Sequence, residues 1–132
     1  MADRVTLTDV VAAVVARLTG TFDDPAIAVW DAPPATANQL PAVWPEVLAG
    51  SGSPRRDRPA TLRVVWVPVA RANAAMWADL VAAVDALNAA FDVALPSGIL
   101  ITGRSWVFDS VDVGTVTRDA LLYDLAVTYP DC

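Results

Sequence analysis

Few side chains in this chain of 132 residues have the chemistry that catalysis needs, and their spacing limits what each could do. There is no histidine and no lysine, so nine arginines supply every cationic side chain. Histidine is the commonest general base and the commonest zinc ligand, and both roles lack it here. Ser51 sits in AGSGSP at 49–54, which superficially matches a nucleophile elbow. The elbow needs glycine two residues before and two after the serine, and Ala49 and Ser53 occupy those places. Asp23 and Asp24 precede Pro25 and read as a polar turn. Asp109 and Asp112 could share a cation, but two carboxylates are a weak signal, because a calcium site uses six to eight oxygens. Cys132 is the last residue and the one thiol, so it forms no internal disulfide and, without histidine, no metal site. The six glycines are scattered and form no phosphate-binding loop. The expectation is a protein without catalysis, metal or cofactor.

The formal charge of −6 disfavours general nucleic-acid binding, whose affinity comes mostly from neutralising phosphates. Against that background SPRRDRP concentrates Arg55, Arg56 and Arg58. One reading is a solvated loop tip. The other is an electrostatic contact with an acidic surface, on a neighbouring subunit or another protein. DNA ranks third, since the segment has no aromatic on which bases could stack.

These residues must be held by elements that hydrophobic spacing foretells. VTLTDVVAAVVARLTG reads as a helix with the stripe Leu7, Val11, Val14 and Leu18, capped by Thr6 or Thr8 and stopped by Gly20. Ile27 to Trp30 form a short strand, closed by Pro33 and Pro34. Residues 32–60 are irregular and rich in proline, with LPAVWPEVLAG as a short edge strand and GSGSPRRDRPA as a loop. RANAAMWADLVAAVDALNAAF is the strongest helix, with the stripe Trp77, Leu80, Val84, Leu87 and Phe91 and an alanine face that is either solvent-facing filler or a smooth face for close approach of another element. ILITGRSWVFD is a strand, SVDVGTVTRD a turn-rich connection and ALLYDLAVTYP a half-buried strand.

TLRVVWVPVA, residues 61–70, is a strand with a problem. Leu62, Val64, Trp66, Pro68 and Ala70 lie on one face, and Thr61, Arg63, Val65, Val67 and Val69 on the other, so both faces are largely apolar. The element order predicts a single α+β domain over 1–132, a mostly antiparallel sheet with two helices on one face. Two helices cover one face only. Val65 and Val67 are therefore left for contact between subunits. No apolar run reaches the about 18 residues of a membrane span, and the start MADRVTLTDVV does not read as a signal peptide.

In its order of elements the chain resembles the tail-terminator, or tail-completion, proteins of long-tailed bacteriophages. The resemblance runs through VTLTDVVAAVVARL, DAPPATANQLPAVWPEV, LRVVWVPVARANAAMWADLVAAVDAL and ALLYDLAVTYP, nearly the whole chain. It implies a non-enzymatic virion protein at the head–tail junction, assembled in the host bacterial cytoplasm. It further implies a homo-oligomeric ring of six copies that caps the tail-tube protein and meets the head connector, with DNA passing through the lumen unbound. Such a ring needs two different patches to meet, and the Arg55–Arg56–Arg58 segment with Asp79 and Asp85 supplies candidate halves. The alternatives are a phage head-closure protein, a regulatory partner of another protein, and a small dimeric enzyme or ligand-binding domain with a pocket built from Trp66, Trp106 and Tyr123.

Overall fold

The computed structural model describes residues 5–23, 27–32, 34, 41–50, 57–68 and 73–130. Helix α1 spans Leu7–Thr21, and Thr6 caps it from an extended backbone. The Thr6 hydroxyl accepts from the Asp9 N–H at 3.2 Å, and the Thr6 N–H donates to Asp9 Oδ2 at 2.9 Å. This reciprocal capping box selects Thr6 over Thr8. Val10, Val14 and Leu18 are buried, while Leu7 and Val11 are half-buried against the same core. Gly20 does not stop the helix. Its own turn is open, with nothing within 4 Å of a notional Cβ, and the helix continues to Thr21. Phe22 ends it, donating its N–H to the Leu18 carbonyl at 2.8 Å and stacking on Trp66 at 5.3 Å between ring centroids.

Five strands form one sheet in the order β1-β2-β3-β5-β4. They are β1 (Ala28–Val29), β2 (Ala42–Gly50), β3 (Asp57–Val67), β4 (Leu100–Val113) and β5 (Val116–Pro130), with α2 (Asn73–Ala90) between β3 and β4. β1 runs parallel to β2, and the other pairings are antiparallel. The α+β architecture expected from the element order is the one observed, with both helices on one face.

Two expected boundaries move, and the expected edge strand around Pro45 is found. First, β3 begins at Asp57, so Arg58 is a strand residue opposite Tyr129 and not part of a loop tip. It ends at Val67, and Pro68, which has no N–H for the ladder, follows. β1 covers only Ala42 and Val43 of β2, so Pro45 falls on an edge stretch where a missing N–H costs little. Second, SVDVGTVTRD is not a turn-rich connection. It is the tip of a long β4–β5 hairpin closed by Gly114 and Thr115, with Gly114 at φ 62°. Positive φ at that turn is cheap for glycine, so the strands can run up to it on both sides. A bulge between Ile101 and Gly103 shifts the register of β4. It lets Ile101 and Phe108, an odd number of residues apart, both reach the helix-side core.

The chain covers both faces of β3 by itself. On the helix side, Leu62, Val64 and Trp66 join Leu121, Tyr123, Leu125, Leu80, Val84 and Leu87 in the main core. On the other side, Val65 and Val67 join Ala42, Trp44, Val113, Ala120 and Leu122 in a second core, with Trp30 and Val111 packed against it. β5 pairs with β3 only from Leu121 onward, so the hairpin overshoots β3 and brings Val111 and Val113 over this face. Val65 is 1% and Val67 0% exposed, which corrects their expected role as a contact surface between subunits. Hydrophobic periodicity shows that a face must be covered and does not show that a hairpin tip will return to cover it.

Candidate assembly surfaces

Helix α2 is tied down at its C-terminal end, and the ties create the surface around it. At its C-terminus the Arg17 guanidinium of α1 donates to the carbonyls of Ala90, Val93 (3.0 Å) and Ala94 (3.1 Å). A cation on the last carbonyls satisfies orphan acceptors and opposes the negative end of the helix dipole. Beside it, Arg104 of β4 donates to the Asn88 carbonyl at 3.1 Å and to Asp92 Oδ1 at 2.6 Å. The Tyr123 hydroxyl donates to Asn88 Oδ1 at 2.6 Å. Burial pushes the Tyr123 phenol above its ordinary pKa, with Arg104 pulling the other way. The Arg104 guanidinium is held firmly charged by its bond to Asp92.

The N-terminal part of α2 brings Trp77 to the outer strand β4. Trp77 was expected in the core stripe. Leu80, Val84, Leu87 and Phe91 of that stripe are buried, but Trp77 is 57% exposed. It meets Phe108 edge-on at 5.0 Å, and Trp106 lies 5.2 Å from Phe108. Trp77, Leu80, Phe108, Asp109, Ser110 and Asp119 line a cleft of about 520 Å³. At the opposite flank a second groove, about 600 Å³, runs between α1 and β2 and is lined by Leu7, Val11, Ala12, Val15, Asp31 and Val47. Its signal was present in the sequence: Leu7, Val11 and Val15 form a second helical stripe beside Val10, Val14 and Leu18.

The residues singled out from the sequence are dispersed. Arg55, Arg56, Asp24, Ser51 and Cys132 lie outside the described residues. Arg58 in β3 and Asp79 in α2 are half-buried and already engaged, so neither waits for a partner. Asp85 is exposed on α2, and Asp23 is exposed after α1. Asp109 and Asp112 sit three apart on a regular stretch of β4, so they face opposite ways and share no cation. Asp112 accepts from the Thr117 hydroxyl at 2.8 Å. No group of three or more His, Cys, Asp or Glu side chains is placed to hold a metal among the described residues. Trp66 and Tyr123 are core residues and Trp106 is exposed, so this trio lines no common pocket. No described helix is long and apolar enough to cross a membrane.

No protein-family model and no curated protein matches the chain.

Proposed function

We propose that the chain is a structural ring subunit that caps a phage tail tube and joins it to the head connector. One observation carries this reading beyond the resemblance of element order. A single sheet bears two unlike surfaces at its two flanks, the apolar α1–β2 groove and the aromatic α2–β4 cleft. A two-fold dimer joins a patch to itself. Two unlike patches on opposite flanks allow copies to meet head to tail, and head-to-tail contacts close into a ring when the rotation allows. Six copies is the number the resemblance implies. The acidic charge suits a lumen through which DNA slides without sticking. Catalysis, metal and cofactor have no part in this function.

Imaging and native mass measurement of the protein mixed with purified tail tubes test it. The expected result is one ring per tube end, with rings absent or rare without tubes. Failure to associate with any tube overturns the reading. Association with the connector alone replaces it with the head-closure reading.

A further inference from the structure

We propose that the α2–β4 cleft receives the Arg55–Arg56 segment of a second copy of this chain. The inference rests on the head-to-tail reading above, not on the tube or the connector. The cleft is built for a cation. Trp77 and Phe108 offer an aromatic wall, and arginine packs its planar guanidinium on such rings. Asp119, exposed, lines the same space and makes no hydrogen bond or ion pair among the described residues. Asp109 turns its carboxylate to the other face of the sheet, in the row of Val111 and Val113, so Asp119 is the acid that a cation meets in the cleft. A cleft of this size accommodates a guanidinium and its stem.

The described fold has few cations to spare for it. Arg17 is spent on the α2 carbonyls, Arg63 on Asp124 and Arg104 on Asp92. Arg58 is engaged within its own chain. Arg118 donates to the adjacent Thr117 carbonyl at 3.4 Å, and its strand position opposite Val111 turns it to the other face of the sheet. The densest positive charge in the sequence is Arg55 and Arg56.

Reach excludes the contact within one chain. The cleft lies at the level of Phe108, which pairs with Leu121, which pairs with Trp66. Arg55 and Arg56 are joined to Asp57, nine positions back along β3, or about 30 Å at strand rise. Their backbones stay within about 8 Å of Asp57, because consecutive Cα atoms are fixed by the trans peptide. A segment tethered to Asp57 therefore meets the cleft only between neighbouring copies, with positive charge meeting negative.

The test titrates a synthetic peptide of residues 49–60 into the full chain and reads tryptophan fluorescence, with Trp77→Phe assigning the signal to the cleft. The expected result is a saturable change that the Arg55→Glu/Arg56→Glu peptide does not produce. Asp119→Asn in the protein, with unchanged circular dichroism, weakens binding about tenfold, the loss of one charge-assisted contact. No saturation up to about 1 mM, the weak limit of specific association, overturns the proposal. Equal binding of a scrambled peptide overturns it too, by making the cleft a general cation site. Tighter binding in Arg71→Ala overturns it by showing that the chain's own arginine fills the cleft. Peptide binding without rings on tubes sinks the tail reading alone. Rings without peptide binding sink this contact alone.

Discussion

The Arg63 guanidinium holds the Asp124 carboxylate by two bonds across β3 and β5, Nε to Oδ1 at 2.7 Å and Nη2 to Oδ2 at 3.1 Å. The pair sits directly opposite in register, on the same face as Val65 and Leu122. Glu46 of β2 continues the row and accepts from the Trp44 indole N–H at 3.1 Å. A polar row thus borders the second core. Because both side chains remain partly exposed, solvent screens the pair. A double-mutant cycle with Arg63→Ala and Asp124→Ala, read by urea melts, should give a coupling of about 1 kcal/mol. Zero coupling means that the fork adds nothing to the fold.

Val65→Ala should destabilise the isolated chain by about 1–3 kcal/mol, since it opens a hole among Trp44, Val67 and Leu122. Had Val65 faced a neighbouring subunit, the monomer would lose almost nothing. Urea denaturation at low protein concentration separates the two.

Leu87→Ala should cost about 2–5 kcal/mol, as for a buried leucine in a packed core. Trp77→Ala, from the same helical stripe, should cost clearly less, because its ring lies over the sheet edge and not inside it. Equal losses in thermal melts would mean that α2 lies deeper on the sheet than described.

Arg17→Ala removes three bonds, one to the last residue of α2 and two to the segment after it, and should cost about 1–3 kcal/mol, the range for hydrogen bonds to a charged group. Hydrogen exchange should show the loss first at the last turn of α2. Arg17→Lys should recover only part, because an ammonium lacks the planar fork that spans several carbonyls. Uniform destabilisation with no local opening at Ala90 counts against the capping role.

Asp9 should make α1 sensitive to acid. Hydrogen bonds from the Thr6 backbone and hydroxyl hold its carboxyl below the ordinary aspartate value. A depressed folded pKa gives stability that is fully present above the unfolded pKa and is lost as pH falls through the folded one. Helicity should therefore fall in acid below the usual aspartate range, and Asp9→Asn should flatten that part of the curve. An unchanged acid limb in Asp9→Asn would assign the effect to other carboxylates.

Local pattern by itself determined the order of elements, the fold class and the buried stripe Leu80, Val84, Leu87 and Phe91, and narrowed the cap of α1 to Thr6 or Thr8. Each depends on spacing within one helix or strand, which is written directly in the chain. Val65 and Val67 show where that stops. Their alternation says that both faces of β3 avoid water, but only the overshoot of the β4–β5 hairpin decides that Val111 and Val113 cover the second face. Trp77 is the converse case: it has core spacing, yet it meets Phe108 of the outer strand β4 edge-on and stays exposed. Arg17 and Ala90 are far apart in sequence, so no local rule links them. Asp119 and Trp77 become neighbours only because α2 lies along β4 and β5. Contacts between distant segments depend on how far each element extends past its neighbour, and that length is settled by packing.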